Sequence, residues 1–271
     1  MICYPNAKIN IGLNVVEKRP DGYHNLETVF YPIPLTEILE TVVNIEDEQS
    51  FTFSNSGIKV DALPEDNICI KALNIIKKNY DVPPVKIHLH KAIPFGAGLG
   101  GGSADGAFML NLINKEFELG ISNEELHNMA AQLGADCAFF INNKPAYATG
   151  IGDILQPVNL DLSGYHIALI KPPTHVSTPE AYSGVNPKSS ENSLVDLIKL
   201  PLEQWKHHIK NDFEKSVFKN HPEIGRIKME LYEAGAAYAS MSGSGSSVFG
   251  LFKEAPEIKT HPEYFKWIKQ L

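Results

Sequence analysis

The chain has 271 residues, 43% of them hydrophobic and 21% charged, which is enough to form the core of one large or two ordinary domains. A net charge of −8 and a pI of about 5.7 argue against a general nucleic-acid-binding protein, which would more often be basic. No apolar run approaches the roughly 20 residues of a membrane span, no secretory signal is visible at the N-terminus, and Cys3, Cys69 and Cys137 lack CxxC spacing, so we expect a cytoplasmic protein with free thiols.

The first elements in chain order are predicted to be strands. Residues 1–16 are predicted to be extended, with an interruption near Pro5, and 25–33 and 37–45 are predicted strands rich in Thr, Val, Ile and Phe. Residues 49–60 form a weaker strand region that contains turns. Asp66 can cap a helix over residues 67–80, in which apolar residues recur with helical spacing. Residues 85–91 then alternate apolar and polar side chains, as a strand with one buried face does.

A glycine-rich loop follows this strand and is the most informative segment of the chain. Five of the seven residues 96–102 are glycine, Ser103 comes next, and residues 104–114 are predicted to form a helix. Bare backbone can approach a polyphosphate closely, and its N–H groups act together with the positive end of the helix dipole. Strand, loop and helix therefore predict an anion site.

Other kinds of glycine loop fit this segment less well. A dinucleotide-binding Gly-x-Gly-x-x-Gly pattern is present at 96–101, but position 121, where an acidic residue should end a strand, lies in a turn. Gly102 stands where a P-loop has its lysine, and the HRD and DFG motifs of protein kinases are absent from the sequence. A flexible turn that binds nothing would leave the entropy cost of five glycines without compensation.

The second half of the chain alternates helices and strands. Ser122 and Glu125 form a capping box for a helix that ends at Leu133, where Gly134 predicts a left-handed stop. Further predictions are a strand at 165–171, an N-cap at Thr178 before Pro179, helices at 212–219 and 223–234, and strands at 236–241 and 247–252 around a glycine-rich turn. A boundary at 157–164 separates domains 1–160 and 161–271, which indicates an α+β protein with two lobes.

Three motifs resemble those of the GHMP small-molecule kinases. The loop, with Pro94, Gly98-Leu99-Gly100 and Ser103, is similar to their Pro-x-x-x-Gly-Leu-Gly-x-x-Ser pattern. Pro-Asn-Ala-Lys-Ile-Asn at 5–10 resembles the family's first motif, and Met-Ser-Gly-Ser-Gly-Ser-Ser at 241–247 its third. The resemblance implies ATP-dependent phosphorylation of a small alcohol, a ribosomal-protein-S5-like N-terminal lobe and a ferredoxin-like C-terminal lobe. Asp105-Gly106 departs from the alanine-rich helix start of many relatives.

Further segments narrow the resemblance to the branch that phosphorylates the 2-hydroxyl of a cytidylated methylerythritol in non-mevalonate isoprenoid synthesis. They are Arg-Pro-Asp-Gly-Tyr-His at 19–24, Leu-Gly-Gly-Gly-Ser in the loop and Leu-Gly-Ala-Asp at 133–136. The expected small-molecule partners are ATP, with Mg²⁺ arriving bound to it, and this substrate. We expect no protein metal site, nucleic-acid partner or membrane contact, and the oligomeric state is left open. The alternatives are a homoserine, mevalonate or sugar kinase, a nucleotide-binding protein without catalysis, and an NAD enzyme.

The resemblance also implies roles for individual side chains. Asp136 is expected to be the general base and Lys8 the partner that keeps it ionised, whereas the residues alone also fit a helix N-cap and an edge lysine facing water. ATP is expected to contact Pro94, Gly96, Ala97, Gly98, Leu99, Gly100, Gly101, Gly102, Ser103 and Ala104, together with Asn67 and Lys91. The second substrate is expected to contact Asn10, Tyr23, His24, Phe30, Thr178, Tyr182, Gly243 and Ser244. Helix caps at Ser103 and Asn67, a strand end at Lys91, packing aromatics and a tight hairpin turn are the alternatives.

Overall fold

The computed structural model describes residues 1–44, 51–59, 63–190 and 192–271. Its strands are β1 (Ile2–Cys3), β2 (Asn6–Lys18), β3 (His24–Thr36), β4 (Ile38–Val43), β5 (Phe51–Gly57), β6 (Val85–Lys91), β7 (Ala146–Thr149), β8 (Ile154–Pro157), β9 (His166–Lys171), β10 (Tyr238–Met241), β11 (Val248–Phe252) and β12 (Phe265–Gln270). Its α-helices are α1 (Ile68–Lys77), α2 (Gly101–Glu116), α3 (Asn123–Leu133), α4 (Cys137–Asn142), α5 (Thr178–Ser183), α6 (Leu194–Leu197), α7 (Leu202–His208), α8 (Glu214–Asn220) and α9 (Pro222–Glu233).

The described residues form two compact units, each of which is discontinuous in sequence. Unit 1 consists of Met1–Ala7, Leu35–Phe95 and Gly100–Lys144. Unit 2 consists of Lys8–Pro34, Gly96–Leu99 and Pro145–Leu271. The chain therefore passes from unit 1 into unit 2 and back again within the glycine loop.

Unit 1 contains a four-stranded sheet in the order β1-β4-β6-β5. β6 pairs antiparallel with β4 and parallel with β5. Val85, Ile87 and Leu89 of β6 are buried, as the apolar alternation of this strand predicts. Helices α1 and α2 approach closely at Gly106, since an added Cβ there would lie 2.9 Å from Ile68 Cγ1. This close packing explains why a glycine is needed inside α2.

Unit 2 contains two four-stranded sheets, in the orders β2-β3-β7-β8 and β10-β11-β9-β12, with β2 and β3 belonging to it for most of their length. β10 and β11 form an antiparallel hairpin in which Met241 is opposite Val248. Helix α9 buries Ile224, Ile227 and Leu231 in the same apolar cluster as these strands. The turn of this hairpin carries the third motif, at residues 242–247.

Most of the predicted elements are confirmed, including the strand, loop and helix around the glycine segment, the two early strands β3 and β4, and the β10–β11 hairpin. Positions 45, 49, 50 and 60 of the predicted early strands lie outside the described residues. Helix α2 begins at Gly101, before the predicted residue 104. Within the described ranges, none of the helices combines the length and apolar character that a membrane crossing requires.

Three predicted helix termini are wrong. Asn67 caps α1 by accepting from the Cys69 amide at 2.9 Å, so the neighbouring Asp66 is not the cap. Ser177, and not Thr178, caps α5, because the Ser177 hydroxyl accepts from the Glu180 amide at 3.3 Å. Gly134 follows α3 with φ 164°, which is extended backbone and not a left-handed stop. The Ser122 cap of α3 is confirmed at 3.2 Å.

Candidate active site

The residues predicted to bind substrates or act in catalysis fall into both units. Unit 2 holds Lys8, Asn10, Tyr23, His24, Phe30, Gly96, Ala97, Gly98, Leu99, Thr178, Tyr182, Gly243 and Ser244. Unit 1 holds Asn67, Lys91, Pro94, Gly100, Gly101, Gly102, Ser103, Ala104 and Asp136.

Lys8 lies in β2 with only 3% of its surface exposed. Its Nζ donates a hydrogen bond to Asn10 Oδ1 at 2.7 Å and lies 4.6 Å from the centre of the Phe30 ring, which is a cation–π distance. Burial of an ammonium is unfavourable without such partners. Lys8 is therefore not an edge lysine in water but a cation with a fixed position.

Thr28 fixes the orientation of the Asn10 side-chain amide, whose carbonyl oxygen faces Lys8. Asn10 Nδ2 donates to Thr28 Oγ1 at 3.0 Å, and the Thr28 hydroxyl donates to the Gly12 carbonyl at 2.6 Å. Because the Asn10 amide nitrogen is used by Thr28, Asn10 Oδ1 points to the Lys8 ammonium. Lys8, Asn10 and Phe30, three residues predicted for the site, are thus brought together.

The Ser242 hydroxyl joins all three sequence motifs. The Ser242 hydroxyl accepts from the backbone amide of Asn10 at 3.2 Å and donates to the backbone carbonyl of Gly98 at 2.8 Å. Gly98 has φ +72°, and an added Cβ would lie 1.9 Å from the Ser242 carbonyl oxygen, so only glycine fits here. An added Cβ at Gly243 would lie 3.3 Å from Asn10 Oδ1. The first motif, the glycine loop and the third motif therefore meet at one buried serine.

Of the three aromatic side chains predicted to hold a nucleobase, His24 and Tyr182 are in contact, whereas Tyr23 is exposed. The rings of His24 and Tyr182 are stacked, with centroids 4.7 Å apart and planes inclined by 22°. The Tyr182 ring also contacts the Phe213 ring edge-on at 4.7 Å. The Tyr23 side chain is 62% exposed, and its backbone amide donates to Asp21 Oδ1 in the preceding turn. Thr178 is the exposed first residue of α5.

The N-terminus of α2 has the features of an anion site. Gly100 is its N-cap with φ +71°, the first turn contains no acidic residue, and no side chain among the described residues caps it. A Cβ added to Gly102 would meet no described atom within 4 Å, so space is open beside this turn. Uncapped amides at a helix N-terminus, together with the helix dipole, attract negative charge.

Ser103 and Asp136 do not act as helix caps. The Ser103 hydroxyl lies inside α2 and hydrogen-bonds the Cys137 thiol, while burial raises the pKa of that thiol to about 11. Asp136 is half-buried at the N-cap position of α4, and its carboxylate makes no cap hydrogen bond to the described backbone of that helix. Neither side chain therefore makes a helix-capping hydrogen bond among the described residues, and the roles of both in the site stay predictions.

Asn67 and Lys91 have structural partners within unit 1. Asn67 is the cap of α1, and the Lys91 ammonium contacts Glu37 Oε2 at 2.6 Å and Asp105 Oδ2 at 2.7 Å. The helix cap and the ion pairs account for both side chains without a ligand. Their contacts with ATP stay predictions.

Two histidines of β6, His88 and His90, are hydrogen-bonded to serines. His88 Nδ1 lies 2.8 Å from Ser54 Oγ, and His88 Nε2 and His90 Nδ1 lie 2.9 and 3.0 Å from Ser56 Oγ. Across the described part of the chain, no group of three or more His, Cys, Asp or Glu side chains is arranged to hold a metal ion.

Several polar residues that hold the site in place were not predicted from the sequence. Asn211 is buried and its Nδ2 donates to the carbonyls of Met241 and Gly243, both at 2.8 Å, which fixes the third motif. Thr28 is buried within β3, and Glu37 is buried between β3 and β4. A polar residue inside an apolar strand was the available signal for Thr28, whereas the partners of Asn211 lie about 30 positions away and give no local pattern.

Comparison with known proteins agrees with these motifs. The sequence profile of the GHMP kinases N terminal domain matches residues 67–144, and that of the GHMP kinases C terminal matches residues 193–260. A 4-diphosphocytidyl-2-C-methyl-D-erythritol kinase of Parabacteroides distasonis is 57% identical over 100% of both chains. Its counterpart from Bacteroides fragilis is 55% identical over 96% of this chain and 94% of the relative.

Solved structures lead to the same family. A crystal structure of a 4-(cytidine 5'-diphospho)-2C-methyl-D-erythritol kinase has a TM-score of 0.79 and 30% identity, covering 93% of this chain and 90% of the other. A homoserine kinase from Cytophaga hutchinsonii shares the fold with a TM-score of 0.65 and 17% identity, covering 92% and 85% of the two chains. The narrowed resemblance is confirmed: the chain belongs to the GHMP kinases, in the group of the 4-diphosphocytidyl-2-C-methyl-D-erythritol kinases.

Proposed function

We propose that the chain transfers the terminal phosphoryl group of ATP to the 2-hydroxyl of 4-diphosphocytidyl-2-C-methyl-D-erythritol, a step of non-mevalonate isoprenoid synthesis. The meeting of all three motifs at the Ser242 hydroxyl is the observation that carries the proposal. Relatives that are 55–57% identical over nearly their whole length carry this substrate in their names.

The triphosphate is proposed to bind at the glycine loop and the first turn of α2. Open space at Gly102 and the uncapped amides after Gly100 fit phosphate oxygens. Mg²⁺ is proposed to enter bound to the ATP phosphates, where it would spread their negative charge. Ser103 is the residue whose hydroxyl could face a phosphate oxygen or this ion.

Phosphoryl transfer requires a route for the proton of the attacking hydroxyl. We assign this proton to the Asp136 carboxylate, while the hydroxyl oxygen forms a bond to the γ-phosphorus and the bond to ADP breaks. The Lys8 ammonium, held by Asn10 and Phe30, is assigned to stabilise the negative charge that develops on the oxygen. The pairing of Lys8 with Asp136 stays a prediction.

The cytidine end is proposed to lie at the aromatic rings of unit 2. His24 and Tyr182 are already stacked, and a pyrimidine can add to such a stack because every base has an aromatic face. Tyr23 and Thr178 are proposed to line this part of the site, and Asn10 the methylerythritol part. Gly243 and Ser244 are proposed to fold over the phosphates. The boundary between domains 1–160 and 161–271 is likewise proposed.

The assay mixes the chain with ATP, Mg²⁺ and the cytidylated substrate, and follows ADP release and the phosphorus NMR spectrum of the product. We expect turnover with this substrate and none with homoserine or mevalonate. Asp136→Asn should lower turnover by about 10²- to 10⁴-fold, the range for loss of a general base, while ATP binding is retained. Equal rates in Asp136→Asn and the parent would remove Asp136 as the base, and absence of turnover in the parent would overturn the proposed function.

A further inference from the structure

Unit 1 contains a buried group of charges to which the proposed transfer assigns no chemical step. Glu37, Lys91 and Asp105 are 0%, 2% and 2% exposed. The Lys91 ammonium lies 2.6 Å from Glu37 Oε2 and 2.7 Å from Asp105 Oδ2. We call these three residues the buried charge cluster. Burial of charged side chains costs desolvation free energy unless each charge is paired. We therefore expect this cluster to have a role in the fold.

The second carboxylate oxygen of Glu37 holds the backbone that leads into the glycine loop. Glu37 Oε1 accepts from the Ile93 amide at 3.0 Å and from the Ala92 amide at 3.4 Å. These are the first two amides after β6, and Pro94 follows directly. One carboxylate therefore fixes both the Lys91 side chain and the chain segment that enters the loop.

The other side of the cluster is attached to the helix that leaves the loop. Asp105 belongs to α2, whose first residue is Gly101. A Cβ added to Gly101 would lie 3.0 Å from Ile93 Cγ2, so the entering segment and the start of α2 also pack closely. The cluster thus connects the end of β6 with α2 from inside the fold, across the two ends of the loop.

The charges of the cluster balance if it retains one proton. Two carboxylates and one ammonium would leave a net negative charge in the interior, which is unfavourable. Burial, together with a hydrogen bond to Glu37, holds the pKa of Asp105 well above its usual range. A proton retained on Asp105 makes the cluster neutral.

We propose that Glu37, Lys91 and Asp105 are positioning residues that fix the two ends of the glycine loop and so set the affinity for the triphosphate of a nucleotide. The inference rests on the proposed function, because it takes this loop as the ATP site. None of the three residues is assigned a contact with the reacting atoms. Their effect is on the spacing of the amides that bind phosphate, which must be correct before ATP arrives.

Two substitutions at Glu37 test the inference as a matched pair. Glu37→Met has a similar length and no acceptor for the Ile93 amide. Glu37→Gln can keep its oxygen at the Ile93 amide, while its Nε2, which cannot accept from Lys91, donates to an ionised Asp105 that pairs with Lys91. Loss of the acceptor should raise the KM for ATP about tenfold in Glu37→Met, in line with one lost hydrogen bond to a charged group. Glu37→Gln should stay near the parent value, and the KM for the cytidylated substrate should be unchanged in both.

The outcomes separate the cluster from the proposed function. Active parent protein with an unchanged KM for ATP in Glu37→Met overturns the inference, as does an equal rise in the KM of both substrates, which would indicate a general distortion of the site. Inactive parent protein overturns the proposed function. Calorimetric titration with a non-hydrolysable ATP analogue then tests the inference separately, by comparing the affinity of the parent with that of Glu37→Met. If Glu37→Met does not fold, Asp105→Ala and Asp105→Asn replace the pair, and equal affinities for the analogue in these two variants refute the inference.

Discussion

At the scale of single residues, the Ser242 hydroxyl is connected through Asn10 to the Lys8 ammonium, two hydrogen bonds away. Ser242 fixes the Asn10 backbone, Asn10 is oriented by Thr28, and Asn10 Oδ1 accepts from the Lys8 ammonium. An ammonium that is already oriented by the protein loses little on meeting a developing negative charge, which is the condition for electrostatic catalysis. The side chains proposed to contact the substrate are therefore oriented by hydrogen bonds to other buried residues.

Tyr182 gives a prediction at this scale. Tyr182→Ala should raise the KM for the cytidylated substrate by about 5- to 150-fold, since stacking of one base contributes roughly 1–3 kcal/mol. The KM for ATP should change much less. Steady-state kinetics with each substrate varied in turn measures both values.

Tyr182→Phe is the control for this substitution, because it keeps the ring that stacks on His24 and packs edge-on against Phe213. It should remain within a few-fold of the parent. A Tyr182→Ala protein that is folded and has the parent's KM for the cytidylated substrate would show that this ring does not hold the base.

At the scale of elements, two glycines of α2 serve different purposes. Gly106 lies where α1 and α2 touch, and a side chain there would clash with Ile68 and crowd Leu133. Gly102 has no described neighbour within 4 Å of an added Cβ. Packing explains the first glycine, and access for a phosphate group is the purpose that we propose for the second.

Alanine at each of the two positions separates these purposes. Gly102→Ala should keep or raise thermal stability, because alanine favours a helix by about 1 kcal/mol over glycine, yet it should weaken ATP binding by filling the phosphate space. Gly106→Ala should lower stability through the clash with Ile68 and leave the KM for ATP nearly unchanged. Thermal unfolding and ATP titration of both variants measure this, and unchanged ATP affinity in Gly102→Ala would argue against phosphate at this turn.

The same helix shows what the sequence could predict. The alternation in β6 and the glycine run determine a strand, a loop and a helix through local rules, so these elements were predicted. Cap positions failed where two suitable residues are adjacent, as with Asp66 and Asn67, because local preference does not choose between them. Helix α4 was predicted only through the alternative in which Asp136 caps a helix, since a short apolar run fits a strand or a helix equally well. The ion pairs of Lys91 join residues far apart in sequence, and only the fold brings them together.

At the scale of the whole molecule, carboxyl groups affect stability in opposite directions as pH changes. Hydrogen bonds from His221 and Thr174 lower the pKa values of Glu180 and Glu223, so their contribution is present above the unfolded pKa and is lost as pH falls. Asp105 is the opposite case, because burial raises its pKa. Its contribution is fully present below the unfolded value near 3.8 and is lost as pH rises through the raised value. The groups that face Asp105 are Lys91, Glu37 and the thiols of Cys69 and Cys3.

Asp105→Asn therefore should remove one component of the pH dependence of folding. In the window between the two pKa values the folded parent binds one more proton than the unfolded chain, so its free energy of unfolding falls by about 1.4 kcal/mol per pH unit from this group. Asparagine stays neutral and can accept from Lys91 while donating to Glu37. Urea unfolding of the full chain at several pH values should show that Asp105→Asn gains stability relative to the parent as pH rises. Parallel curves for the two proteins would mean that Asp105 is ionised in the folded state, and the neutral cluster would then be wrong.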